Sequence, residues 1–141
     1  AAVRHATGPG MRMDENGQDT ASRIRGWQLG CMEAVALKLS KFGGLSQMRR
    51  ARDLCLDLGV KMCIEDTWGS DITTGTALHL AAATPLSGIM NVCDLSGYVG
   101  PRLDPSAPTR DGGFITPSTA PGIGANPDLD LLGAPGLEPT A

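Results

Sequence analysis

The chain has 141 residues, of which 41% are hydrophobic, so it has enough apolar side chains for one packed core. Its net charge of −3 argues against nucleic-acid binding, which needs a basic surface. No apolar run approaches the roughly 20 residues of a membrane-spanning helix. We therefore expect a globular chain that binds neither nucleic acid nor membrane.

Residues 1–99 alternate short apolar runs with helix-like stretches. Helical periodicity predicts helices at about 18–30, 45–58 and 71–83. Because strands that alternate with helices are joined as parallel neighbours, the sequence predicts an α/β fold with a parallel sheet. The predicted strands are Gly10–Asp14, Ala34–Ser40, Val60–Glu65 and Ile89–Asp94.

The helix predicted at 45–58 has the clearest pattern. Its apolar residues share one face at helical spacing, and Gly59 follows as a stop signal. Arg49, Arg50 and Arg52 lie largely on the other face. This arrangement predicts a solvated basic surface.

Residues 100–141 differ in composition from the rest of the chain. They contain eight of the ten prolines and show little periodicity. We therefore predict a second region here, an irregular and extended tail that acts as a linker or as an arm packed on another domain.

The cysteines and the first residues predict a cytoplasmic location. Each cysteine lies in an apolar stretch, as a buried thiol does, and none forms a CxxC pair. Neither His5 nor His79 lies near a cysteine pair, so no zinc site is predicted. The start lacks an initiator Met and a signal segment, which is expected of a fragment or a processed chain. The cysteines are Cys31, Cys55, Cys63 and Cys93.

An ionisable residue ends each predicted strand. Asp14, Lys38, Glu65 and Asp94 are separated by 24, 27 and 29 residues. A (β/α)₈ barrel of about 250 residues uses about 31 residues per unit and carries its catalytic groups at the carboxyl ends of its strands. The spacing therefore predicts four consecutive barrel units with a site at these strand ends.

Several motifs resemble one family of barrel enzymes. MDEN at 13–16, LKLSKFGGL at 37–45, IEDTWG at 64–69 and PGIG at 121–124 are similar to motifs of the enolase superfamily, within the mandelate racemase/muconate lactonizing enzyme family. The strings are most similar to those of cis-3-hydroxy-L-proline dehydratases. The resemblance runs from about residue 3 to 135. It implies the C-terminal half of a (β/α)₈ TIM-type barrel, about strands 5 to 8, with a tail that packs on a capping domain.

The resemblance also implies a chemistry. Members of the family abstract the proton α to a carboxylate and use bound Mg²⁺ to stabilise the enolate. Asp14 matches the third of three metal ligands, and Glu15 beside it is a weaker candidate. Lys38 matches the general acid/base lysine. The other two ligands have no counterpart in this chain, so the magnesium site is expected to be incomplete.

The expected partner is a small-molecule carboxylate, in particular a cyclic amino acid. Glu65, Asp66, Trp68 and Asp94 lie at or just after strand ends and are candidate substrate-binding residues. A carboxylate can pair with the substrate ammonium, and an aromatic face can bind a cation. Trp68 fits equally well as a packing residue at the barrel rim.

Three functions agree with these patterns. The first is a fragment of a Mg²⁺-dependent lyase or isomerase, with cis-3-hydroxy-L-proline dehydration as the favoured reaction. The second is a proline-type or proline-betaine epimerase of the same family. The third is an inactive half-barrel, either a gene remnant or an interaction module that forms a homo-oligomer or complements a separate N-terminal half. In every case we expect the 141 residues alone to have no turnover.

Overall fold

The computed structural model describes residues 2–14 and 19–134, and the sheet in these ranges has four strands, all parallel. The strands lie side by side in chain order, and helices connect them. This confirms the predicted α/β fold. The strands are β1 (Arg12–Met13), β2 (Ala34–Lys38), β3 (Lys61–Glu65) and β4 (Ile89–Cys93). The helices are α1 (Ala2–Thr7), α2 (Thr20–Gln28), α3 (Leu39–Phe42), α4 (Leu45–Asp57), α5 (Ser70–Ala82) and α6 (Leu129–Leu132), and short 3₁₀ turns lie at Leu86–Gly88 and Ser96–Tyr98.

All four predicted strands are longer than the observed ones, and two of them differ by more than one residue. The run predicted over Gly10–Asp14 pairs only at Arg12–Met13. Residues 39 and 40 begin the short helix α3 instead of extending β2. In the described ranges, none of the helices has the length and apolar character that crossing a membrane requires.

The core lies between the sheet and the helices on one of its faces. Val35, Leu37, Met62 and Ile64 alternate along β2 and β3, and all four are completely buried there. Side chains alternate between the two faces of a strand, so the residues between them point to the opposite face. The other face is therefore the one that carries Lys38 and Glu65.

Helix α4 buries the apolar face that its sequence predicts. Met48 and Cys55 are buried against the sheet, and Gly59 has a φ of +67° directly after the helix cap. The prediction of a uniformly solvated basic face is wrong for Arg52. Its guanidinium is buried and donates to the carbonyl oxygen of Ala83 at 2.7 Å, because the end of α5 packs over it.

The tail packs on α5 of the same chain. Asp104 is 1% exposed and accepts hydrogen bonds from Ser106 Oγ at 2.7 Å and from the backbone NH of Asn126 at 2.7 Å. The ring nitrogen Nε2 of His79 on α5 lies 3.2 Å from the carbonyl oxygen of Ile123. The backbone NH of Asp104 donates to Asp71 Oδ2 on α5 at 3.2 Å, so the tail is attached to the helix at Asp104 and at Ile123. Contact with another domain stays a prediction.

Candidate active site at the carboxyl ends of the strands

Three of the predicted site residues meet at one edge of the sheet. Lys38 Nζ lies 2.5 Å from Asp14 Oδ1 and 3.9 Å from Glu65 Oε2. The three strands are parallel and adjacent, so their carboxyl ends bring together residues that are 24 and 27 positions apart. Glu65 and Lys38 are direct partners in the strand register. The structure therefore surrounds one lysine with two carboxylates.

Arg12 completes this group, and sequence reasoning missed it. Its Nη1 donates to Glu65 Oε1 at 3.1 Å, and its Nη2 donates to Asp14 Oδ2 at 3.1 Å. Burial opposes the charge on Arg12, but Cys63, Glu65 and Asp14 outweigh that effect and raise the pKa of the guanidinium. Arg12 lies two residues before Asp14, so the period-2 alternation of a strand could have found it. We call Arg12, Asp14, Lys38 and Glu65 the strand-end cluster.

Two side chains of the strand-end cluster are largely buried. The side chains of Glu65 and Lys38 are 6% and 12% exposed, whereas those of Asp14 and Arg12 are about one third exposed. Ion pairs at low exposure are less screened by water and salt than surface pairs. The cluster thus fixes the Lys38 amine at the strand ends, where a base or acid can reach a bound small molecule.

Asp14 fits the role of a magnesium ligand. Mg²⁺ prefers oxygen ligands, and in many sites it takes one or two carboxylates and keeps several waters. The buried Oδ1 of Asp14 has no aligned hydrogen-bond donor, although the Lys38 amine is close by. A carboxylate at this position is an oxygen donor of the kind that Mg²⁺ takes, and in this structure the Lys38 amine lies against it. Glu15, the weaker candidate, lies outside the described residues.

Asp66 joins three elements. Its carboxylate is fully buried and accepts from Thr74 Oγ1 at 2.6 Å and from the backbone NH groups of Leu95 and Ser96 at 3.1 and 3.0 Å. The backbone NH of Trp68 also donates to it, at 3.3 Å. These contacts give Asp66 a structural role at the end of β3. Because Asp66 is fully buried, its carboxylate has no exposed oxygen for the predicted contact with a substrate.

Trp68 lies in a strained loop after β3. Thr67, Trp68 and Ser70 have φ angles of +58°, +58° and +77°, which non-glycine residues seldom adopt. Each such residue costs on the order of 1–3 kcal/mol and persists only where its surroundings hold it. The indole of Trp68 is 66% exposed and borders a cleft with Val99. Both roles of Trp68, substrate binding and packing at the rim, stay predictions.

Asp94 does not join the strand-end cluster, which corrects the prediction that four strand-end residues lie in register. Cys93 pairs with Glu65, so Cys93 occupies the position on the face that carries Lys38 and Glu65. Asp94 lies one residue beyond β4. A register irregularity at Met62 and Cys63 accompanies this offset. The Asp94 carboxylate accepts instead from the backbone NH of Gly97 at 2.9 Å and from Arg110 Nη2 at 3.2 Å. Its substrate role stays a prediction.

Two cysteines that are far apart in sequence lie side by side next to Glu65. The Sγ atoms of Cys63 and Cys93 are 3.6 Å apart, and Cys63 Sγ lies 3.1 Å from Glu65 Oε1. Burial, together with the Glu65 carboxylate, raises the pKa of the Cys63 thiol. All four cysteines are free thiols, as expected from the sequence. The proximity of Cys63 and Cys93 arises because β3 and β4 are neighbours in the sheet.

Comparison with known proteins identifies the family. A profile of the family described as enolase C-terminal domain-like matches residues 1–131. The cis-3-hydroxy-L-proline dehydratase of Roseibium aggregatum is 37% identical over 134 residues, which are 95% of this chain and 36% of that protein. The chain thus spans about a third of the length of this curated relative.

Solved structures agree with this match. A mandelate racemase/muconate lactonizing enzyme from Roseovarius nubinhibens is 34% identical, with a TM-score of 0.89 over 96% of this chain and 37% of that one. An enolase superfamily member from the same organism, solved in complex with magnesium, is 30% identical, with a TM-score of 0.91 over the same shares. The family match and these structures confirm the resemblance that the sequence motifs indicate, and the chain therefore belongs to the enolase C-terminal domain-like family.

Proposed function

We propose that the chain supplies the proton-transfer part of the active site of a Mg²⁺-dependent enzyme that removes the proton α to a carboxylate, with dehydration of cis-3-hydroxy-L-proline as its reaction. The observation that carries this proposal is the position of Lys38, whose amine lies between the Asp14 and Glu65 carboxylates at the strand ends. The similarity to a cis-3-hydroxy-L-proline dehydratase supports the choice of substrate.

Lys38 acts as the base in the proposed reaction. Its neutral amine takes the α-proton, and the electron pair left on the α-carbon forms a double bond to C3 while the C3–O bond breaks. The hydroxide that leaves takes up a proton and departs as water. The product is an enamine, which tautomerises to a cyclic imine.

The other residues of the strand-end cluster bind the metal or position the groups around Lys38. Asp14 is the proposed metal ligand of the described chain, with Glu15 as the weaker candidate. Mg²⁺, when bound, supplies Lewis-acid stabilisation of the negative charge that develops on the substrate carboxylate. Arg12 contacts both Asp14 and Glu65, so it fixes the two carboxylates relative to Lys38.

The proposed partner is a cyclic amino acid. The exposed indole of Trp68 offers a face to its ammonium group, and Asp94 and Glu65 are the carboxylates that could pair with the same charge. A cytoplasmic location is part of the proposal, because the four cysteines are free thiols in this structure.

A substrate panel tests the reaction. The protein is expressed from the complete reading frame that encodes these residues, with Mg²⁺, and is given cis-3-hydroxy-L-proline, L-proline or proline betaine. We expect imine formation from the first compound only, and Lys38→Ala to lower its rate by about a hundredfold or more. Racemisation of proline or its betaine without water loss would replace the dehydratase with the epimerase. No turnover, together with a concentration-dependent dimer, would favour the interaction module.

A further inference from the structure

We propose that Cys63, Cys93 and Glu65 form a second metal site, which takes a borderline or soft divalent cation of the Zn²⁺ class. Atoms from these three side chains, two Sγ and one carboxylate oxygen, all lie within 4.8 Å of one another. They lie on the sheet face that also carries Lys38. Thiolate ligands select Zn²⁺ over Mg²⁺, which prefers oxygen. The site therefore differs in chemistry from the one proposed at Asp14.

The spacing of the three atoms matches a tetrahedral cation. With Zn–S bonds of about 2.3 Å, two sulfur ligands of a tetrahedral site are separated by about 3.8 Å. The Sγ atoms of Cys63 and Cys93 are 3.6 Å apart. A disulfide would instead need the two sulfurs at about 2.05 Å. Both thiols are free in this structure, and their separation is compatible with two sulfur ligands on one cation.

The surroundings balance the charge of such a site. Two thiols that lose their protons contribute two negative charges, which the divalent cation cancels, so the net charge of the group does not change. Arg12, whose Nη1 lies 3.1 Å from Glu65 Oε1, places a further positive charge beside the ligands. The side-chain amide of Asn91 donates to Cys93 Sγ at 3.3 Å, an outer contact of the kind that orients a ligand.

The fourth position of the tetrahedron has no ligand among these three side chains, so a water molecule or another donor would complete it. Occupancy would engage Glu65 Oε1, which Arg12 contacts in this structure. Binding of a thiophilic cation is therefore expected to compete with the ion pair that joins Arg12 to Glu65, and so to disturb the strand-end cluster.

Titration of the reduced chain with Cd²⁺ tests this site without any activity measurement. The charge-transfer absorption of the thiolate–cadmium bond in the ultraviolet reports binding directly. We expect one Cd²⁺ per chain, displaced by Zn²⁺ but not by excess Mg²⁺. Cys63→Ser and Cys93→Ser should each weaken binding more than about tenfold, and Glu65→Gln should weaken it about tenfold.

Cys31→Ser is the matched control, because Cys31 is a half-exposed free thiol outside the cluster. This variant should bind Cd²⁺ as tightly as the unchanged chain. Glu65→Gln retains both thiols, so it tests the site even if a cysteine variant does not fold. The proposal is overturned if both cysteine variants bind like the unchanged chain, if Glu65→Gln has no effect, or if Mg²⁺ displaces Cd²⁺.

Discussion

Glu65 and Asp66 show how one position along the chain changes the role of a carboxylate. Side chains alternate across a strand, so these neighbours face opposite ways. Glu65 meets Lys38 and Arg12 at the strand-end cluster. Asp66 faces the elements that follow β3 and receives hydrogen bonds from α5 and from the segment after β4. The first carboxylate belongs to the site, and the second holds the framework that carries it.

Replacement of Asp66 by Ala is expected to lower the free energy of unfolding by about 3 kcal/mol. The change leaves the backbone NH groups of Leu95 and Ser96 without their acceptor, and each unsatisfied buried group costs about 1–3 kcal/mol. Urea unfolding measures the loss. Asp57→Ala on the exposed face of α4 is the control and should shift stability by less than about 0.5 kcal/mol. Equal effects of the two changes would contradict the structural role of Asp66.

At the scale of elements, α4 shows where a helical pattern is informative and where it is not. The apolar spacing fixes which face meets the sheet, and Met48 on that face is completely buried. The pattern does not reveal that the end of α5 packs over Arg52, which donates to Ala83 and Thr84. A basic residue at the border of an apolar face can therefore be a structural contact.

Two arginines of α4 give a matched test of this contact. Arg52→Met should lower the free energy of unfolding by about 1.5–3 kcal/mol, because the charged hydrogen bonds to the Ala83 carbonyl and the buried Thr84 hydroxyl are lost. Arg49→Met, on the exposed face, should change it by less than about 0.5 kcal/mol. Thermal or urea unfolding of the two variants gives the comparison. Equal stability of the two variants would contradict the contact and would mean that Arg52 is a solvated surface residue.

The attachment of the tail should weaken in acid. Burial opposes the charge on Asp104, but hydrogen bonds from Ser106 and Asn126 outweigh it and lower the pKa of this carboxyl below its ordinary 3.8. A lowered folded-state pKa stabilises the fold fully above the ordinary value, and this stabilisation is lost as the pH falls through the folded-state pKa. We expect Asp104→Asn to flatten the dependence of unfolding free energy on pH below about 4. An unchanged slope in this variant, measured by urea unfolding, would rule out Asp104 as the cause.

For the whole molecule, short-range patterns predict the order of elements well. Runs such as Val60–Glu65 and the helix at 45–58 carry their own periodicity, and the alternation of strand and helix then restricts the connections to parallel ones. The position of Asp14 and Lys38 at neighbouring strand ends could be predicted because both the strand phase and the motif indicate it. The features that depend on the pattern of a single strand or helix, such as which residues face the core, agree with the structure.

Contacts that depend on the exact register between strands, or on loops that fold back, could not be read from the sequence. Cys63 meets Cys93 only because two strands 30 residues apart are neighbours, and the Asp66 partners lie up to 30 residues away. The predicted register of Asp94 is wrong for the same reason. A register irregularity between two strands cannot be recognised in the sequence of either strand. Such features depend on pairing, which local propensity does not encode.

Exchange of the α-proton tests the central proposal most directly. The complete protein is incubated with cis-3-hydroxy-L-proline and Mg²⁺ in deuterated water, and proton NMR follows the α-proton signal of substrate and product. We expect loss of this proton with the unchanged protein and a rate lower by about a hundredfold or more for Lys38→Ala. Lys41→Ala, which changes an exposed lysine of α3, is the control and should exchange normally. Exchange that survives Lys38→Ala, in a variant that folds and binds substrate, would contradict the assignment of Lys38 as the base.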